Sequence, residues 1–328
     1  MTGRACIGAI GFAAALCAQA ATRPRVYIEN NEVFVDAGAG RPAKRLTSDT
    51  APKSGVALSP SGSLIFYMAG CIGQAQSCPP QIAVVDMEGR RLASFPVMRT
   101  DGACLSFNTV EWIDDARIGV ECHINPSLSE YVELDARSGR EGGEWLGYWF
   151  TWSPDRKQIA HVGWIIHFAP PSAQSNYLQF GARTVYPKVA PSSPAAAPAM
   201  PPDPPDVVRF RDGVALGIHE FYLPIRWSPD SRRVALFERI YDWKPDKPDS
   251  NAGETRNERY RLVVAAADSD PLEWPTPAAK ARLWIESMAA QDAFDIAWRD
   301  AGTFEVSTGH GTWTFVVLGR EIRLTGSR

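Results

Sequence analysis

An all-β chain built from a repeated strand–turn unit is predicted by three features of this 328-residue sequence. The phrase Trp-Ser-Pro-Asp occurs twice, at Trp152–Asp155 in "FTWSPDRKQIAHVGW" and at Trp227–Asp230 in "IRWSPDSRRVALFER", with the same internal spacing. Short stretches of alternating apolar and polar residues recur along the chain, each bounded by Ser, Pro, Asp or Gly, which is the pattern of β-hairpins. Helical residue choice is confined to Pro277–Ala290, while 26 Pro and 26 Gly supply many turns.

The elements follow in order. Arg25–Ser48, "RVYIENNEVFVDAGAGRPAKRLTS", reads as a three-strand remnant. Five hairpins of strands A and B come next, at "GVALSPSGSLIFYMAG", "NTVEWIDDARIGVECHI", the two Trp-Ser-Pro-Asp copies and "FDIAWRDAGTFEVSTG". Pro at the second turn position and Asp at the third suit a type I turn. A second hairpin, strands C and D, follows four of them: Gln81–Val97, Ser129–Gly147, Tyr260–Pro275 and Thr312–Gly326. For the fourth unit the sequence offers Arg211–Gly213 as the C–D turn. Four antiparallel strands recurring at intervals of roughly 40 to 75 residues predict a β-propeller of six four-stranded blades, with a counting error of one. The stretch Pro277–Ala290 becomes a short helix between the fifth and sixth blades.

The phrases "WSPDSRRVAL" and "WSPDRKQIAH" resemble the propeller repeat of TolB-type proteins, also found in the prolyl oligopeptidase and dipeptidyl peptidase IV group. The resemblance spans most of residues 25–326 and is strongest in the fourth and fifth units. It implies a six-bladed propeller and, from TolB itself, a periplasmic protein that binds envelope proteins. The chain lacks the α/β domain that precedes the TolB propeller. No G-x-S-x-G stands anywhere in it, so the resemblance does not extend to a hydrolase domain.

Residues 1–20 read as a secretory signal peptide: Arg4, an uncharged Ala- and Gly-rich run, then Ala18-Gln19-Ala20 as a small-x-small cleavage site. Residues 21–328 are then one propeller domain, with a Pro/Ala-rich loop insertion at about 164–205. Loss of residues 1–20 leaves 33 basic and 37 acidic residues, a net charge of −4, far from the basic footprint of a nucleic-acid binder. No other long apolar run occurs, so no membrane span is expected after cleavage. Export to the periplasm, or secretion, follows. Four cysteines remain, Cys71, Cys78, Cys104 and Cys122, and an even number in an exported chain favours disulfides. Cys71 with Cys78 would close a B–C loop, and Cys104 with Cys122 would tie a connection to a B strand.

Strand order then separates two faces. A–B and C–D turns share one, and they are short and alike; B–C and D–A connections share the other and differ in length. Tyr241 to Glu258 reads as the B–C loop of the fifth unit, with Tyr241 and Trp243 at its start, and His219 falls in the D–A connection after the fourth. Uniform turns describe scaffold, and long individual loops are where scaffolds carry function. Within the insertion, Pro187–Pro205 holds 8 Pro and 5 Ala, too few large apolar groups to build a core. The candidate binding residues are therefore Trp164, His167, Phe168, His219, Tyr241 and Trp243. Aromatic side chains of this kind are enriched at binding hot spots. His123, His167, His219 and His310 fall on separate units at no metal-ligand spacing, so neither a metal nor another cofactor is expected. The expected function is non-enzymatic binding of a protein or peptide in the cell envelope through the B–C/D–A face. The alternatives are a hydrolase or lyase with its site in the central pocket, or a sensor derived from a peptidase propeller.

Overall fold

The computed structural model describes residues 24–38, 41–70, 80–99, 102–104, 106–125, 128–163, 175–187, 209–247, 250–290 and 294–328. Among them the chain is almost entirely β, and consecutive strands pair antiparallel. The first sheet holds β1 (Arg25–Glu29), β2 (Glu32–Asp36) and β3 (Lys44–Arg45). Asn30 and Asn31, both at positive φ, make the two-residue turn between β1 and β2. Asparagine tolerates that region, which matches the twist of a tight hairpin.

The second sheet holds β4 (Lys53–Leu58), β5 (Leu64–Ala69), β6 (Gln81–Asp86) and β7 (Arg91–Pro96). A hairpin of β8 (Met98–Arg99) and β9 (Gly102–Ala103) leads to a seven-stranded sheet. Its strands are β10 (Phe107–Trp112), β11 (Arg117–Asn125), β12 (Leu128–Asp135), β13 (Glu141–Trp152), β14 (Ile159–Val162), β15 (Leu178–Phe180) and β16 (Arg183–Tyr186). β13 joins two halves: residues up to Gly147 pair with β12, and Tyr148–Trp152 pair with β14. Only glycine fits at the join, because a Cβ on Gly147 would stand 2.2 Å from the Val162 carbonyl oxygen.

The fourth sheet holds β17 (Arg209–Arg211), β18 (Val214–Trp227), β19 (Arg233–Pro245), β20 (Gly253–Ala266) and β21 (Leu272–Thr276). Helix α1 (Ala278–Ala289) follows and buries Ala281 and Trp284. The last sheet holds β22 (Asp295–Trp298), β23 (Thr303–Thr308), β24 (Gly311–Leu318) and β25 (Glu321–Ser327).

Burial is serial. Val33, Val35, Ile65 and Val85 join the first sheet to the second, and Phe66, Val84, Trp112 and Val132 join the second to β10–β12. Ile113 and Tyr131 meet Trp152 and Ile159 between the halves of the long sheet. Phe180, Tyr186, Trp227 and Leu236 connect its second half to the fourth sheet, and Phe237, Trp284, Phe304 and Phe315 connect the fourth to the last. Each sheet thus packs face to face on the next in chain order.

A repeated hydrogen bond marks the same order. Trp112 Nε1 donates to Ala57 O at 3.0 Å, Trp227 Nε1 to Thr151 O at 2.9 Å, and Trp298 Nε1 to Arg226 O at 3.0 Å. In each case the first strand of one unit bonds the first strand of the unit before it. Trp152 departs from the pattern and donates to the Tyr131 hydroxyl. The A–B turns also touch in series, through Ser61 N to Asp115, Arg117 to Arg156 O, and Asp155 N to Ser231. They therefore share one face.

Several expectations change here. The insertion at 164–205 contains the hairpin β15–β16, whose Tyr177, Leu178, Phe180 and Tyr186 are buried. The unit built on β13 and β14 therefore takes its third and fourth strands from inside that stretch, and Arg211–Gly213 turns β17 into β18 instead. Pro and Gly density hid so short a hairpin. The loop expected from Tyr241 to Glu258 is mostly strand, since β19 runs to Pro245 and β20 starts at Gly253. Separate four-stranded sheets are seen twice, beside sheets of three, seven and five strands.

Candidate functional site

The turn phrase resolves first. Ser59, Ser153 and Ser228 are fully buried. Each accepts the amide of the residue three on at its carbonyl, and the amide five on at its hydroxyl: for Ser228 these are Ser231 N at 2.9 Å and Arg233 N at 3.0 Å. Ser228 Oγ also donates to Asp230 at 2.6 Å, as Ser153 does to Asp155 at 2.7 Å. The Ser and Asp beside the Trp are consumed in closing the turn, so the motif is scaffold.

Five residues upstream of Ser228 the same strand reaches the opposite face, about 16 Å away at 3.3 Å per residue. There Trp149, Phe221, Tyr222, Leu223, Ser287, Met288 and Phe294 line an open groove of about 460 Å³. That size falls in the range of ligand clefts. β18, β13 and the entry to β22 supply its walls, and α1 closes one side. Leu223 is 46% exposed, unusual for a leucine ringed by aromatic side chains. Trp149 holds a positive φ of 54°. For a bulky side chain that conformation costs about 1–3 kcal/mol. Sequence reading missed these residues. A signal existed, since Phe294 and Leu223 each stand four residues before the Trp of their unit and Trp149 stands three before Trp152.

The expected site residues fare differently. Trp164, His167, Phe168, Cys71 and Cys78 lie outside the described residues. His219, expected in a connection, lies inside β18 opposite Ile240 of β19. Its Nδ1 donates to Glu238 at 2.8 Å, and the Glu238 side chain has no exposed surface. The Tyr186 hydroxyl donates to the same carboxylate and stands 3.4 Å from Glu273, which pairs with Arg261. Burial and the neighbouring carboxylates push the Tyr186 hydroxyl far up, so it stays a proton donor. Ser175 and Asn176 take up the β18 amides of His219 and Phe221. The cluster joins two carboxylates, a histidine and a tyrosine between the long and fourth sheets. The cavities that hold Arg233 and Arg320, Trp149 and Phe294, and Arg117 and Trp152 are lined by neither His219 nor Glu238.

Tyr241 and Trp243, expected beside a loop, sit in β19. Tyr241 lies under the Arg239 guanidinium, 4.5 Å from ring centre, and both aromatics pack on Ala215 and Ile218. Arg239 is also clasped by Glu220 and Glu258. Asp242 accepts Gly217 N at 2.9 Å and the Asn257 amide at 2.7 Å, fixing the bulge where β19 and β20 lengthen past their neighbours. These residues brace strands. They do not line the groove. His123 and His310 are exposed on different sheets. Cys104 and Cys122 form a disulfide with Cα atoms 5.7 Å apart. Among the described residues no group of three or more His, Cys, Asp or Glu stands close enough to hold a metal ion. No helix there is long and apolar enough to cross a membrane.

No family model matches the chain, and no curated protein matches it. Among solved structures it is similar to the β-propeller domain of the Trilobed protease from Pyrococcus furiosus, at 12% identity and a TM-score of 0.40, covering 92% of this chain and 81% of that one. It is similar to the tricorn protease at 10% identity and 0.40, covering 93% of this chain and 33% of that one. A putative 6-phosphogluconolactonase from Bacteroides uniformis follows at 14% identity and 0.32, covering 90% and 78%. Scores of this size transfer neither chemistry nor partners.

Proposed function

We propose that the chain is an exported, non-enzymatic β-propeller of the TolB-like kind that binds a protein or peptide on the face opposite its A–B turns. Six units support the ring: the first sheet, the second, the two halves of the long sheet, the fourth and the last. The observation that carries the binding reading is the aromatic groove around exposed Leu223, at the far end of the first strands from the uniform turns. Export rests on the signal-like residues 1–20 and on the Cys104–Cys122 bridge, which suits an oxidising compartment. The test is a photo-crosslinking amino acid at position 223, with position 324 on β25 as control, in cells that export the protein. Binding predicts a discrete adduct at 223 and none at 324; equal labelling at both removes the groove from consideration.

A second reading, a hydrolase or lyase, draws on the His219–Glu238 pair, in which a carboxylate holds Nδ1–H and leaves Nε2 as a base. The binding reading stands ahead because Glu238 and Tyr186 are buried between sheets with their polar atoms engaged. Glu238→Gln separates the two. A structural cluster predicts a lower melting temperature with groove binding retained, whereas a catalytic one predicts loss of turnover in a folded protein.

A further inference from the structure

We propose that Trp149 decides which side chain the groove accepts, an inference that rests on the groove reading above. Two independent observations meet at this residue. Its side chain lines the groove beside Phe221, Leu223 and Phe294. Its backbone stands at φ +54°, where a bulky L-residue crowds its own peptide. Surrounding structure must force such a conformation, and residues of this kind gather at ligand clamps. The forcing is visible in β13. Gly147, two residues earlier, is packed against Val162 O, and the register slips between Tyr148 and Thr151 as the strand changes neighbours. That slip breaks the strict alternation of side chains and lets a strand residue border the opening between units.

The walls also specify the occupant. Among the described residues that line it none carries a charge, and the one aliphatic hydroxyl among them, Ser287, already donates to Leu283 O at 2.9 Å. A charged group entering this groove would lose hydration and find no charged partner among those residues. The fitting occupant is an uncharged apolar side chain on an extended peptide, with Trp149 covering it.

The experiment measures fluorescence polarisation of short Gly-Ser peptides bearing one central Leu, Phe, Lys or Glu. It uses the full mature chain and its Trp149→Gly, Trp149→Ala, Leu223→Ser and Leu324→Ser variants. The wild type binds the Leu or Phe peptide over the charged ones. Both Trp149 variants and Leu223→Ser weaken that binding by about tenfold or more, the size of a hot-spot loss, and Leu324→Ser does not. Trp149→Gly also melts above Trp149→Ala, because only glycine relieves the positive φ. Wild-type-like binding by Trp149→Gly together with loss in Leu223→Ser overturns the Trp149 assignment and leaves the groove standing. Wild-type-like binding by both overturns the groove itself. A wild type that binds none of the peptides, or prefers the charged ones, overturns the apolar occupant. A glycine variant that melts below the alanine variant removes the strain on which the inference stands.

Discussion

Single residues show how the turn phrase is spent. Ser228 is buried with its hydroxyl accepting one amide and donating to Asp230. Ser228→Ala strands that amide and should lower stability by about 1–3 kcal/mol in urea titration. His161 is a second buried polar residue, with Nε2 donating to Gly181 O at 3.0 Å and the ring stacked on Phe150 at 5.1 Å. Burial pulls its pKa down to about 4 from the ordinary 6.5. The unfolded chain therefore takes up this proton near pH 6.5, and the native chain does so only near pH 4. The resulting stability is full above pH 6.5 and is lost as pH falls toward 4, to a depth of about 3 kcal/mol. His161→Gln should flatten the urea midpoint between pH 4.5 and 7 relative to wild type; an unchanged slope would show that the titration lies elsewhere. Sequence gave no sign of this histidine's burial, because its neighbours on β15 arrive from across a segment that read as loop.

At the scale of elements, the fourth sheet is the outlier. β19 has 13 residues where β5 has 6. The extra length is braced by Asp242, by the Arg239–Glu220–Glu258 group, and by Tyr241 and Trp243 on Ala215 and Ile218. Asp242→Ala frees the Gly217 amide and the Asn257 side chain together. Hydrogen exchange should accelerate at residues 253–259 and in the adjoining end of β19, while Val234–Phe237 stays protected; uniform acceleration would mean that the arm and the sheet open as one unit. The hairpins and α1 were legible beforehand because period-two alternation and turn chemistry are local signals. The β15–β16 hairpin and the lengthened strands were not. Three- and four-residue strands barely establish a period, and charged residues such as Arg256 and Glu258 look like loop until a partner strand is seen to hold them.

At the scale of the molecule, five apolar seams stack the sheets in chain order, and the indole-to-carbonyl bonds repeat between units. The Cys104–Cys122 bridge closes 18 residues of sequence between the second sheet and β11. Replacing both cysteines with serine should cost about 3 kcal/mol in denaturant, and reductant should have the same effect on wild type. By itself the sequence determined the all-β class, the recurring hairpins, helix α1 and the scaffold nature of Trp-Ser-Pro-Asp, since each depends on residues close together along the chain. Tertiary structure alone decided the rest. It took His219 out of a loop and set it against buried Glu238, turned Tyr241 and Trp243 into strand braces, and gathered Trp149, Leu223, Met288 and Phe294 into one groove. Those residues are as much as 145 positions apart, and only the stacking of one unit on the next brings them together.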